Sequence, residues 1–151
     1  MTVAVVADNL RPIKDALANL TRIIQTGDIE KEAAVNMLPI VGDRIFNKGI
    51  AADGNQIGKY SEGYRKQRER QGLTNSDKVI LQLTQEMRND FSVVEDGKKI
   101  GLGFKQDING DKSYWVEETY KKDIFSHTED ELEKLEEVYG KIIERHLDSN
   151  Q

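Results

Sequence analysis

The chain has 151 residues, of which 37% are hydrophobic, and its 22 basic and 27 acidic side chains give a formal net charge of −5. This length suits one domain with one modest core. The absence of cysteine excludes disulfides and thiolate metal sites, and no apolar run approaches the roughly 18 residues that a membrane-spanning helix needs. The stretch Val3–Ala7 is too short for a secretory signal. With only His127 and His146 present, histidine-based catalysis and multi-histidine metal sites have little support.

The first predicted helix spans residues 8–26. Asp8 or Asn9 is a suitable cap, Pro12 falls in the first turn, and Gly27 is a natural stop. Apolar residues recur at three- and four-residue steps, which predicts a single buried stripe. This stripe consists of Leu10, Ile13, Leu17, Leu20 and Ile24.

The second predicted helix runs from Asp28 to about Asn47. Pro39 removes a backbone donor and crowds the preceding turn, which predicts a kink or a break near Leu38. The predicted apolar face contains Ile29, Ala33, Met37, Ile40, Val41 and Ile45. Because the joining loop has two residues at most, the helices are expected to form an antiparallel hairpin over residues 1–47.

Residues 48–75 are predicted to be a glycine-punctuated loop followed by a basic arm. Asp53–Gly54 indicates a turn, and Ser61 caps a short polar helix that Gly72 ends. A helix this short and polar is marginal alone, so we expect it to become ordered against something else. The candidate interface residues of the arm are Lys59, Tyr60, Tyr64, Arg65, Lys66, Arg68 and Arg70.

Three interpretations of the Lys59–Arg70 arm are open. Tyrosine rings and basic groups can contact a protein partner, or they can contact bases and phosphates of a nucleic acid. The third interpretation is a solvated helix, because Glu62 and Glu69 are spaced to pair with Lys66.

Residues 76–151 are predicted to form an α+β core. A helix over 76–90, with Ser76 as a possible cap, precedes a β-hairpin. The hairpin strands are Phe91–Val94 and Lys99–Phe104, joined through Glu95–Lys98. The segment GLGF lies inside the second strand and is followed by no phosphate-binding glycine pattern.

The segment DINGDKSYWVEE, residues 107–118, partly matches a calcium-binding loop. Carboxylate, amide and hydroxyl side chains fall on the ligand positions: Asp107, Asn109, Asp111, Ser113 and Glu118. However, Lys112 occupies the position that requires glycine, which favours an Asn109–Gly110 surface turn. The next segment, Ser113–Tyr120, could be a strand or a short helix, and its exposed aromatics Tyr114 and Trp115 are interface candidates.

The last predicted helix is the clearest element. Thr128 with Glu131, or Ser126 with Glu129, forms a capping box. The predicted stripe is Leu132, Leu135, Tyr139, Ile142 and His146. The predicted core combines the stripe of the N-terminal hairpin with Ile80, Leu83 and Met87 and with Leu132, Leu135 and Ile142. The acidic run Glu129–Glu137 is interpreted as a solvated face.

The fold class expected from these elements is α+β. It combines the N-terminal helical hairpin, a small antiparallel sheet and a C-terminal helix packed on that sheet, in a single domain. No persuasive catalytic, metal-binding or cofactor-binding constellation emerges, so the sequence predicts a protein that is not an enzyme and binds no cofactor.

Several segments, read in order, resemble the phage virion morphogenesis proteins, which are tail-completion or head–tail joining proteins. They are IFNKGIAADGNQIGKYSEGYRKQRERQG, VILQLTQEMRNDFSV, KKIGLGF and SYWVEETYKKDIFSHTEDELEKLEEVYGKIIERHL. The matching positions are Asp53, Gly54, Lys59, Tyr60, Ser61, Tyr64, Arg65, Leu83, Thr84, Met87, Phe91, Ile100, Gly101, Trp115, Glu117, Phe125, Thr128, Glu129 and Asp130. The resemblance covers Ile45–Leu147.

This resemblance implies a structural protein of the virion, assembled in the host cytoplasm, that forms a homo-oligomeric ring between capsid connector and tail tube. Its partners would be other neck and tail proteins, with no membrane and no nucleic acid apart from DNA passing through the ring. In this interpretation the Lys59–Arg70 arm contacts an adjacent subunit or partner. The competing prediction is a nucleic-acid-binding module that uses the same arm.

Overall fold

The computed structural model describes residues 2–73, 78–81 and 85–149, with side chains described from Leu10 onward. Within these residues lie six α-helices and one two-stranded antiparallel sheet, so the predicted α+β class is confirmed. The elements are α1 Thr2–Thr26, α2 Asp28–Gly42, α3 Glu62–Arg70, α4 Glu86–Asp90, β1 Phe91–Asp96, β2 Lys99–Phe104, α5 Asp107–Tyr120 and α6 Glu129–Asp148. A π-helical turn, Asp43–Lys48, extends α2.

Helix α1 differs from its prediction in the residue at which it begins and in which of its side chains are buried. It begins at Thr2 instead of near Asp8, so Pro12 lies inside the helix, where its missing N–H removes a single backbone bond. Most of the predicted stripe is also exposed, namely Leu10, Ile13, Leu17 and Ile24. The prediction of a buried stripe is wrong because the buried α1 side chain is Ile23, which packs against α2 and α6.

Helix α2 is the central layer of the fold. It contacts both strands of the sheet, and its principal helical neighbour is α6. The helix runs without interruption past Pro39, so the break considered near Leu38 is not observed, and the irregularity appears instead in the π-helical turn. Of its predicted face, Ile40 is exposed, whereas the remaining members are buried.

The main core forms where α2 meets the hairpin and the loop that follows α5. Its buried members are Met37, Val41, Ile45, Phe46, Ala51, Ile57, Val79, Met87, Phe91 and Ile124. Phe91 packs edge-on against Phe46 at 5.6 Å and contacts Phe104 at 5.4 Å between ring centroids. Phe91 also pairs with Phe104 across the strands, so the first residue of β1 fixes both register and packing.

Three further predictions of local structure are corrected. The helix predicted over 76–90 is confined to Glu86–Asp90 among the described residues, because Lys78 is bridged to Lys59 in extended backbone. Ser76, Leu83 and Thr84 lie outside the described residues. The Asn109–Gly110 turn is wrong because both residues lie in α5, which also settles the choice between strand and helix at 113–120 in favour of helix. In α6, Leu132 is exposed although it was expected in the core.

Two glycines allow close packing that a side chain would prevent. Gly49 has φ +65°, and a Cβ there would lie 2.1 Å from the carbonyl oxygen of Val79. At Gly58, a Cβ would lie 2.6 Å from the ring of Tyr120. The predicted glycine-rich loop is therefore an ordered strap on the core, and its predicted Asp53–Gly54 turn is present.

The buried ion pair between Arg44 and Glu131 joins the π-helical turn that precedes this strap to the start of α6. Arg44 Nε lies 2.6 Å from Glu131 Oε1, and its other nitrogens donate to the carbonyls of Ile50, Ile124 and Ser126. Glu131 also completes the predicted capping box with Thr128. One carboxylate therefore closes the helix terminus and neutralises a buried arginine.

Candidate functional site: an aromatic groove between α3 and α5

An open groove of about 670 Å³ lies between the start of α3 and one face of α5. Its walls are mainly apolar and include four aromatic side chains, Tyr60, Tyr64, Trp115 and Tyr120. Leu81, Met87 and Val116 add further apolar surface, and the other lining residues are Lys59, Ser61, Lys112 and Thr119. A concave apolar surface with a few polar groups is the usual form of a binding site.

Tyr60 anchors the α3 side of the groove to the chain's own core. Its hydroxyl accepts a hydrogen bond from the Ile80 N–H at 3.2 Å, and its ring lies 4.9 Å from that of Tyr64. Ser61 caps α3, as predicted, by accepting from the Tyr64 N–H at 3.3 Å. The segment predicted to need a neighbour for order is therefore already docked on this chain, with Tyr60 and Tyr64 half-buried.

Arg68 lies behind this wall of the groove. Its guanidinium carbon is 4.7 Å from the centre of the Tyr60 ring, and the residue is almost completely buried. Its Nε and Nη1 atoms have no hydrogen-bond partner among the residues that the structure describes. The stacking contact is a cation–π interaction that places positive charge close to the groove.

Helix α5 is held in place by Asp90, the last residue of α4. The Asp90 carboxylate accepts from the Gln106 N–H at 2.9 Å and from Asn109 Nδ2 at 3.0 Å. The Gln106 hydrogen bond is the main cause that lowers the pKa of Asp90 below its ordinary value. A charged side chain thus fixes the start of the helix that carries Trp115 and Tyr120.

Two tyrosines of the groove, Tyr64 and Tyr120, are neutral at physiological pH. Burial raises the pKa of Tyr64 more than nearby Arg68 lowers it, and burial is also the main cause that raises the pKa of Tyr120. Their protonated hydroxyls can donate or accept hydrogen bonds, and their rings offer apolar surface. The groove is therefore suited to holding a side chain with an apolar body.

The predicted interface residues divide between the groove and other positions. Lys59, Tyr60, Tyr64 and Trp115 come together in the groove, although 55 residues of sequence separate Tyr60 from Trp115. Tyr114 is exposed on α5 but does not line the groove. Arg65 is half-buried, Lys66 is paired with Glu62, Arg68 is buried, and Arg70 is exposed at the end of α3.

Sequence reasoning missed the α5 side of the groove apart from Trp115. Lys112, Val116 and Tyr120 recur at four-residue steps and share one face of α5. Their spacing would have shown this face if the segment had been interpreted as a helix. Lys112 also forms an ion pair of 2.8 Å with Glu86, which ties α5 to α4.

The described part of the chain contains no cluster of three or more histidine, cysteine, aspartate or glutamate side chains that could hold a metal ion. None of its helices has the length and apolar character to cross a membrane. Comparisons with protein families, curated proteins and solved structures gave no match. The resemblance to phage virion morphogenesis proteins thus stays a prediction from sequence.

Proposed function

We propose that the protein is a structural component of a phage head–tail junction and works by binding other virion proteins through the aromatic groove. The phage context comes from the sequence resemblance. The observation that carries the binding role is the convergence of Tyr60, Tyr64 and Trp115 on one open groove. Tyrosine and tryptophan are the side chains that most often dominate the binding energy of protein interfaces.

The charges around the groove define the chemistry of the partner. Among the described residues, Lys59 and Lys112 are the ionisable lining residues apart from the tyrosines. Lys112 is paired with Glu86, and Arg68 adds positive charge behind Tyr60. We therefore expect the occupant to be a protein segment with an apolar or aromatic anchor flanked by carboxylates. The anchor would fill the apolar floor, and the carboxylates would lie on the side of the groove formed by Lys59 and Tyr60, with Arg68 behind it.

The arrangement of basic groups favours this partner over a nucleic acid. Arg68 is buried against Tyr60, and Lys66 is neutralised by Glu62 at 2.8 Å. Phosphate binding needs basic groups that can replace counterions along a backbone. The candidate arm therefore offers fewer phosphate contacts than its sequence predicts.

The test compares Trp115→Ala with its neighbour Tyr114→Ala. Both side chains are exposed to a similar extent, 59% and 62%, but Trp115 lines the groove and Tyr114 does not. Each variant is co-expressed with the connector and tail-tube proteins of the same genome, and its affinity for them is measured together with the yield of joined particles. We expect Trp115→Ala to weaken partner binding about 30-fold and Tyr114→Ala to have little effect.

Equal behaviour of the two variants would contradict the groove as the binding surface. Titration of the wild-type protein with double-stranded DNA at low and high salt tests the competing function. Tight binding that falls steeply with salt, with no affinity for the virion proteins, would overturn the proposal in favour of a nucleic-acid-binding module.

A further inference from the structure

The N-terminal helix exposes a line of apolar side chains that the fold leaves uncovered. Leu10, Ile13, Leu17 and Ile24 are each between 42% and 57% exposed. Ile23, on a neighbouring face of the same helix, is buried against α2 and α6. Helix α1 therefore has two apolar faces, of which its own chain covers one. Exposed large apolar residues that are aligned in this way mark an interaction surface.

The spacing of the uncovered line is that of a coiled-coil seam. Leu10, Ile13, Leu17 and Ile24, together with Leu20, which is half-buried against the chain's own core, follow alternating steps of three and four residues. In the sequence the same alternation continues upstream to Val6 and Val3, which extends the seven-residue repeat over most of the 25 residues of α1. A repeat sustained over three to four heptads predicts pairing with another helix of the same kind.

The residues beside the seam keep it narrow. Beside the seam stand Lys14 and Thr21, which are exposed, and Ala16, which is half-buried. None of the three is a large apolar residue, so at these positions the apolar stripe is narrower than that of a helix packed on a globular core. In a parallel pair of α1 helices, Lys14 of one copy would face Asn9 of the other, and Ala16 would face Thr21. No like charges meet in this arrangement, whereas Arg11, Asp15 and Arg22 lie outside the seam.

We infer that α1 pairs in parallel, through this seam, with α1 of a second copy of the chain. The repeat supplies the interdigitating surface, and the flanks bring no like charges together, so two identical helices can approach. Ile23, near the C-terminal end of α1, packs against α2 and α6 of its own subunit, so pairing through the seam joins whole subunits. This inference concerns the isolated protein and does not depend on its proposed place in a virion.

The oligomeric state of the full chain tests the inference, measured by sedimentation velocity over a range of concentrations. We expect the wild-type protein to associate reversibly and Leu17→Glu to weaken association about 100-fold, because a charge would be buried in the seam. Ala18→Glu is the matched control. It adds the same charge one residue further along the helix, at an exposed position outside the seam. Circular dichroism should be unchanged in both variants because neither side chain is buried in its own chain.

A single introduced cysteine gives an independent measurement, since the natural chain has none. On mild oxidation, Leu10→Cys should form a cross-linked dimer in high yield because a parallel seam places the two copies of residue 10 side by side. Ala18→Cys should not. A monomeric wild-type protein at every concentration would overturn the inference. So would equal dissociation by the two glutamate variants, or equal cross-linking by the two cysteine variants.

Discussion

Arg44 and Arg68 are both buried, with 7% and 2% of their surface exposed, but their guanidinium groups have different surroundings. Arg44 is paired with the carboxylate of Glu131 and donates to three backbone carbonyls. Arg68 lies on the ring of Tyr60, and two of its nitrogens have no hydrogen-bond partner among the described residues.

We call the surroundings of Arg44, where the charge is paired, the closed region, and the surroundings of Arg68 beside the groove the open region. Around Arg44, the contacts join the strap, the loop between α5 and α6, and the start of α6, so these three segments are fixed together. Around Arg68, no carboxylate of the described residues neutralises the charge, and the aromatic ring that it contacts forms the wall of the groove. A paired buried charge organises the fold, whereas the charge of Arg68 adds positive potential beside the groove.

The largest expected effect follows from breaking the closed region. Arg44→Met leaves Glu131 buried without its cation and removes donors from three carbonyls. We expect the free energy of unfolding to fall by about 3–5 kcal/mol, measured by urea denaturation. Arg88→Met, at an exposed position of α4, is the control and should change stability by less than about 0.5 kcal/mol.

Combining Arg44→Met with Glu131→Gln shows whether the loss comes from the pair. The double variant should lose less stability than the summed losses of the two single variants, because removing both charged groups leaves no buried charge unpaired. Simple additivity would mean that the hydrogen bonds to the carbonyls, and not the ion pair, dominate the contribution of Arg44.

A much smaller effect is expected in the open region. Arg68→Met loses the cation–π contact with Tyr60 but also removes two buried nitrogens that lack partners. Because these contributions oppose each other, we expect stability to change by about 1 kcal/mol or less in the same urea experiment. A loss as large as that of Arg44→Met would show that Arg68 is paired as completely as Arg44, and the contrast between the two regions would disappear.

The smallest effect depends on pH and concerns the carboxylate that positions α5. Because the pKa of Asp90 is lowered in the folded protein, its contribution to stability is present above its unfolded value of 3.8 and is lost as pH falls below it. Asp90→Asn should therefore be less stable than the wild-type protein at about pH 6, and the difference should shrink towards about pH 3. A difference that stays constant with pH would show that the charge of Asp90 has no part in holding the groove wall.

The sequence predicted the elements whose signals are local. The Thr128 capping box, the Ser61 cap and the β-hairpin of Phe91–Val94 with Lys99–Phe104 depend on neighbouring residues and are present in the structure. The stripe of α1 has the same kind of signal, but periodicity shows that a face is apolar and does not show what covers it. Leu132 fails as a core prediction for the same reason.

The groove was only partly predictable because its two walls come from distant segments. Tyr60, Tyr64 and Trp115 were identified as interface residues by their chemistry, but their convergence depends on how α5 is positioned by Asp90 and how Tyr60 docks on Ile80. The burial of Arg68 was equally hidden, since its sequence neighbours are charged and suggest an exposed helix. The turn predicted at Asn109–Gly110 was wrong because this dipeptide, although common in turns, lies here in the first turn of α5.

Trp115 is the one tryptophan of the chain, and it stands on the groove wall with 59% of its surface exposed. Its indole emission therefore comes from this location alone and responds to the water around it. Any molecule that covers the groove will shift that emission to shorter wavelength, so the natural protein carries a label-free optical reporter of occupancy.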